Sequence, residues 1–184
     1  PHNASAVLRS CDCFGIQDVH IIENRNQYKT TREIDMGSSK WLDLYRYNEQ
    51  ENNTLECLQT LKRAGYQLVA TTPHKDDVSL PDFDVTPRSA LLFGTELSGL
   101  SDAALEMADV HLRIPMYGFT ESYNISVSVA LCLYQLTQKL FQSDVDWELP
   151  EEEKVKTLLN WMRTSVHRSE EIEQEFLRTL NSGS

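Results

Sequence analysis

The sequence predicts an α/β domain built on a parallel sheet, followed by a short helical extension. Three observations carry that expectation. Short apolar runs alternate along the chain with segments of helical periodicity. One run, residues 90–93, is apolar throughout, as expected of a central parallel strand covered on both faces. Beyond a linker-like stretch at 142–150, two acidic segments keep apolar residues at helical spacing.

Each element follows from local chemistry. Residues 4–14 place Ala6, Val7, Leu8 and Cys11 at helical spacing and stop at Gly15, which predicts a helix. Asp18–Ile22 reads as a short apolar strand, and 42–47 alternates apolar and polar as a second. Thr54 can cap a helix over 55–64, which has Glu56 in its first turn and Gly65 beyond its end. Residues 66–71 form a strand that stops near Pro73, and 90–93 follows as the central one. Ser101 can cap a short helix through Met107, and 110–114 is a further strand. Residues 124–141 make a long helix carrying Ile125, Val129, Leu133, Leu136, Leu140 and Phe141. Pro150 suits the first turn of the next helix, and Glu151, Glu152 and Glu153 complement its dipole. That helix bears Val155, Leu158, Leu159 and Met162, and a last segment bears Ile172, Phe176, Leu177 and Leu180. The expected domains are therefore 1–142 and a helical extension over 143–184.

The 184 residues carry a formal net charge of −11, which as an average argues against a nucleic-acid partner. Many acids lie late, however, from Asp144 to Glu153 and from Glu170 to Glu175. Charge is screened over about 8–10 Å at physiological salt, so a local basic patch can still hold phosphate. Arg25, Lys29, Arg32, Lys40 and Arg46 could form one; scattered solubilising charge is the equal alternative, because Glu23, Glu33, Asp35 and Asp43 are interleaved. Cys11, Cys13, Cys57 and Cys132 lack a second pair at zinc spacing and are expected as reduced, buried thiols, with no metal. No apolar run has the length of a membrane span, and residues 1–9 lack the basic head and apolar run of a signal peptide. A cytoplasmic protein without membrane contact is expected. The chain opens at Pro1 rather than Met.

Three segments could carry chemistry: residues 3–9, opening the first helix; 92–100, after a strand; and 114–126, a loop that enters a helix. Loops at the carboxyl ends of parallel strands are where α/β proteins place their sites. A loop containing Pro115 and Gly118 leaves backbone groups free to read a flat ligand edge. Gly94 permits close approach of a ligand to the backbone, and Glu96 stands two residues beyond it. Taken singly, Ser122 and Asn124 could simply cap the following helix, Asn3 could cap the first, and Arg9 could be a solvated surface arginine.

Together the segments resemble the three motifs of the SpoU (TrmH-like) branch of the SPOUT RNA methyltransferases. Asn3, Arg9 and Phe14-Gly15 match the first; Gly94, Glu96, Gly99 and Leu100 the second; Ile114-Pro115-Met116, Gly118, Ser122, Asn124, Ser126 and Val127 the third. The match runs from Asn3 to about Phe141. Thr95 stands where Asn is usual, Tyr123 where Leu is usual and Ile125 where Val is usual. The strand that precedes the first motif in the family is expected to be absent or truncated.

The resemblance implies a parallel sheet flanked by helices with a deep trefoil knot in the C-terminal part of the domain, and a homodimer. It implies S-adenosyl-L-methionine (SAM) as cofactor, with Thr71, Gly94, Ile114, Met116, Gly118 and Tyr123 around it. It implies that Arg9, Glu96, Ser122 and Asn124 serve the chemistry, with Asn3 and Arg9 contacting RNA. The reaction is methyl transfer to a ribose 2′-OH, most plainly of a tRNA guanosine in the D-loop; rRNA and the tRNA wobble position stay open. Guanidinium remains protonated, so Arg9 is expected to stabilise a developing alkoxide rather than act as a base. One rival is a non-catalytic RNA-binding protein of the same fold. Another, a dinucleotide-binding protein, lacks its glycine fingerprint and its phosphate-loop lysine here.

Overall fold

The computed structural model describes residues 2–24, 37–73, 77–95 and 98–182. It divides into two compact units, Pro1–Val145 and Asp146–Ser184.

In the first unit the strands are β1 (Asp18–Ile22), β2 (Asp43–Tyr47), β3 (Gln67–Thr71), β4 (Val78–Ser79), β5 (Ser89–Leu92) and β6 (Val110–Arg113). The helices are α1 (His2–Cys13), α2 (Asn53–Arg63), α3 (Asp102–Met107) and α4 (Ile125–Phe141). Among the described residues every pairing between strands is parallel: β1 lies on β2, and a four-stranded sheet runs β4-β6-β3-β5. Helices joining parallel strands must cross over the sheet, so its faces are covered. Leu68, Val69 and Ala70 of β3 are accordingly fully buried.

The apolar run at 90–93 is not central. Among the described residues β5 sits at the end of its sheet, paired only with β3. Its apolar character has another cause. Leu91 and Phe93 face the cluster of Leu8 and Cys11 on α1 with Val129 and Leu133 on α4. Ala90 and Leu92 face Cys57, Leu58 and Leu61 on α2. A strand sandwiched between helices reads as uniformly apolar whether or not both its edges are paired.

Two caps also differ from expectation. Asn52, not Thr54, caps α2, its Oδ1 accepting from Leu55 N at 3.1 Å. Thr54 lies buried inside the helix, where its hydroxyl accepts from Asn24 Nδ2 at 2.8 Å. Asn3 lies within the first turn of α1 rather than ahead of it. The two-residue β4 and the 3-10 turns Ser38–Lys40 and Leu80–Asp82 are too short to leave a periodic signature.

Cys11, Cys57 and Cys132 are buried, while Cys13 departs from expectation and is exposed. Burial pushes the Cys11 and Cys57 thiols up to about 11 and the Cys132 thiol up to about 12.

The second unit contains α5 (Glu151–Ser165) and α6 (Ser169–Ser182). Pro150 is the residue before the first turn of α5, and Arg163 pairs with Glu173 across the two helices. Val155, Leu158, Met162, Ile172 and Phe176 are exposed. No helix among the described residues is long and apolar enough to cross a membrane.

Candidate active site

Because β3, β5 and β6 are parallel, their carboxyl ends share one end of the sheet, and the second and third chemistry-bearing segments leave from there. This end is internally tied. Thr71 Oγ1 donates to Leu92 O at 2.7 Å, and Thr72 N donates to Leu112 O at 2.9 Å. The Thr71 hydroxyl therefore joins β3 to β5.

The loop after β5 folds back on itself. Thr95 and Gly99 exchange backbone hydrogen bonds at 3.0 and 2.9 Å, and the Thr95 and Ser98 hydroxyls lie 2.7 Å apart. A Cβ on Gly94 would lie 2.0 Å from Gly99 C and 2.2 Å from Leu100 N. The space beside the Gly94 Cα is thus taken by this loop's own backbone. Gly99 adopts a φ of 65°, which closes the turn. Ser101 then caps α3, its Oγ accepting from Ala104 N at 3.3 Å. Glu96 lies outside the described residues.

The third loop runs from Ile114 to Asn124. Ile114 is anchored against Val69, Leu112 and Cys132, and Met116 is half-buried. From Tyr117 onward the loop is exposed. Among the described residues the backbone groups of Met116, Tyr117 and Gly118 pair with no other backbone group. A Cβ on Gly118 would meet nothing within 4 Å. Tyr123 is exposed and makes no ring contact among the described residues. The Ser122 side chain is exposed as well.

Asn124 both caps a helix and bridges two motifs. Its Oδ1 accepts from Ser126 N at 2.9 Å and from Ser126 Oγ at 2.6 Å, capping α4. Its Nδ2 donates to Asn3 Oδ1 at 3.2 Å, which brings the first and third motifs together across 121 residues. Arg9 lies six residues beyond Asn3 on α1, about 120° around the helix. It is exposed and has no hydrogen bond or ion pair among the described residues, so its guanidinium is available to an anion. No bond joins it to Ser122 or Asn124.

The expected basic surface is only partly described. Arg25, Lys29 and Arg32 lie outside the described residues, and Lys40 is exposed. Arg46 is committed elsewhere: its Nε donates to Glu23 Oε1 at 2.8 Å and a terminal nitrogen lies 2.6 Å from the same oxygen, with the glutamate side chain buried. Sequence reasoning missed the Asn3–Asn124 contact, which no local pattern encodes. It also passed over Tyr117 and Phe119, whose only signal was two aromatics flanking a glycine.

Comparison with known proteins finds relatives and solved structures of one family. The model of the SpoU rRNA Methylase family matches residues 1–134. A tRNA (guanosine(18)-2′-O)-methyltransferase of Borreliella burgdorferi is 40% identical over 171 residues, covering 93% of this chain and 77% of that protein. A protein of the same description from Thermus thermophilus is 32% identical over 166 residues, covering 89% and 83%. The crystal structure of the A. aeolicus TrmH/SpoU tRNA modifying enzyme superposes with a TM-score of 0.75 at 31% identity, covering 91% of this chain and 84% of that one. The SpoU methyltransferase AviRb from Streptomyces viridochromogenes, solved in complex with AdoMet, gives 0.67 at 25% identity, covering 78% and 57%.

Proposed function

From the premise that this chain belongs to the SpoU rRNA methylase family, we propose that it transfers a methyl group from SAM to a ribose 2′-OH of tRNA, at a guanosine of the D-loop. The observation that carries this reading is the Asn124–Asn3 bond, which holds the first and third motifs together beside the carboxyl end of the sheet. The relatives named as guanosine-18 tRNA methyltransferases, at 32–40% identity, support the choice of nucleoside.

The residues present fit the cofactor. A flat adenine edge is read by backbone N–H and C=O groups, and Met116, Tyr117 and Gly118 hold such groups without backbone partners. In this reading Thr71, Gly94, Ile114, Met116, Gly118 and Tyr123 surround SAM. Gly94 also lets the turn closed by Thr95 and Gly99 keep its tight form. SAM, when bound, supplies the electrophilic methyl group, and the protein supplies placement and charge.

A 2′-OH is a poor nucleophile at neutral pH and sheds its proton as it attacks. Arg9, always protonated, holds the neighbouring phosphate and stabilises the developing alkoxide. Ser122, exposed at the mouth of the site, takes part in moving the proton, through water or directly. Asn124 positions that loop, and Asn3 fixes the start of α1 for the RNA backbone. Glu96 completes the charged surroundings of the ribose.

The same reading places a trefoil knot in the C-terminal part of the domain, the domain itself at 1–142 and its helical extension at 143–184. It makes the working form a cytoplasmic homodimer. Val127, Leu131, Tyr134 and Phe141 form an exposed apolar stripe along α4 that supports a second copy as neighbour.

The direct test incubates the protein with SAM carrying a labelled methyl group and an unmodified tRNA transcript, followed by digestion to nucleosides. Labelled 2′-O-methylguanosine is the expected product. Bound SAM with no methyl transfer to tRNA or rRNA overturns the catalytic reading in favour of an RNA-binding protein of this fold.

A further inference from the structure

Tyr117 and Phe119 flank Gly118 in the loop between β6 and α4, and their side chains are 97% and 107% exposed. Each ring offers about 150–250 Å² of surface to a partner. Neither ring joins an aromatic pair or a hydrogen bond among the described residues. The two rings project from the same short loop that ends at Ser122 and Asn124, within a few residues of the groups assigned to the ribose.

Charge makes this surface more informative. The chain carries a net −11, and among the described cations that could meet phosphate, Arg46 is bound to Glu23. Phosphate attraction, the usual source of affinity for nucleic acid, works here against a net negative charge and rests, among the described residues, on exposed cations such as Arg9 and Lys40. Stacking of bases on aromatic rings is independent of net charge, and unpaired RNA bases are the partners that present free faces.

We propose that Tyr117 and Phe119 form a stacking platform for unpaired bases of the RNA substrate beside the nucleotide that is methylated. The proposal rests on RNA being the substrate. With the platform in place, base stacking supplies much of the affinity and holds the target ribose over the Ser122–Asn124 segment. Gly118 between them stands in open space, with nothing else within 4 Å of where a Cβ would lie.

The test measures binding of an unmodified tRNA transcript across a salt series, alongside methyl transfer from SAM. Tyr117→Ala and Phe119→Ala are each expected to weaken RNA binding roughly 5- to 100-fold. The slope of log affinity against log salt should stay that of the unaltered protein, because no phosphate contact is lost. Tyr117→Phe and Phe119→Tyr, which keep the rings, should bind as the unaltered chain does. SAM affinity should not change in the two Phe119 variants, and sedimentation should not change in any of the four. Unchanged RNA affinity in both alanine variants overturns the platform while leaving methyl transfer intact. A fall in affinity that tracks dissociation in the centrifuge also overturns it, and assigns the rings to a contact between copies. Absence of methyl transfer by the unaltered chain instead defeats the functional reading on which the platform rests.

Discussion

Asn124 Nδ2 lies 3.2 Å from Asn3 Oδ1, so the first residue ahead of α4 is fastened to the first turn of α1. The same side chain caps α4 through Ser126. Asn124→Ala removes both interactions, whereas Asn124→Ser keeps a capping oxygen and loses only the bridge. A lost cap costs about 1 kcal/mol, and a lost exposed hydrogen bond costs about 0.5–1.5 kcal/mol. The alanine variant is therefore expected to be less stable than the serine variant in urea titration. Both should lose methyl transfer, because both release α1 from the third loop. An Asn124→Ser variant with unaltered turnover would show that the bridge plays no part in catalysis.

Arg9 stands exposed on α1, so its replacement should leave stability within about 0.5 kcal/mol. The expected effect is confined to the reaction. Arg9→Ala should lower kcat/KM for RNA roughly 10- to 100-fold, the scale of a charge-assisted hydrogen bond. SAM affinity, read by calorimetry, should not move. Arg9→Lys keeps the charge but not the planar fork, and full activity in that variant would refute two-pronged recognition.

The legibility of this chain follows the range of the forces involved. β1 was readable to the residue, because a five-residue segment carrying Val19, Ile21 and Ile22 between a glycine turn and a polar stretch has few alternatives. The cap at Asn52 was not, because three adjacent residues, Asn52, Asn53 and Thr54, can all accept from a helix N-terminus and only tertiary contacts decide among them. The position of β5 was hidden for a related reason: composition records that a strand is covered, not what covers it. In the candidate site, motif spacing marked Asn3, Arg9, Gly94, Ser122 and Asn124. Which of them touch depended on a contact spanning most of the domain. The commitment of Arg46 to Glu23 was equally invisible, since Glu23 follows β1 and Arg46 lies on β2, 23 residues apart.

Glycine substitutions should separate architecture from open space. A methyl group at Gly94 would press on the backbone of Gly99 and Leu100, atoms that no rotamer change can move aside. Gly94→Ala is expected to cost about 1–3 kcal/mol, as overpacking does, and to abolish SAM binding by unfolding the turn ahead of Ser101. Gly118→Ala meets nothing within 4 Å and should fold with unaltered stability. Thermal melts of the two variants, with and without SAM, make the comparison. Equal melting temperatures would show that the Gly94–Gly99 approach is not a constraint on the loop.

Acid stability should depend on Asp109. Lys62 Nζ donates to its Oδ1 at 2.7 Å and the backbone N–H of Leu68 donates to its Oδ2 at 2.8 Å. The hydrogen bond from Lys62 is the largest influence on the carboxyl; burial opposes it, and the bond from Leu68 and the attraction of the ammonium add to it, so the carboxyl stays below its ordinary value of 3.8. A folded-state value below the unfolded one means that the unfolded chain binds the proton more readily. The stabilisation is therefore complete above the unfolded value and is lost as pH falls below 3.8 toward the folded value. In Asp109→Asn the carboxylate is absent at every pH, so the variant should be less stable at pH 7 and lose less stability on acidification between pH about 5 and 2. Urea midpoints taken at several pH values read the difference directly. Parallel acid limbs in the two proteins would mean that Asp109 titrates alike in the folded and unfolded chain, and that its link between α2 and β3 is indifferent to charge.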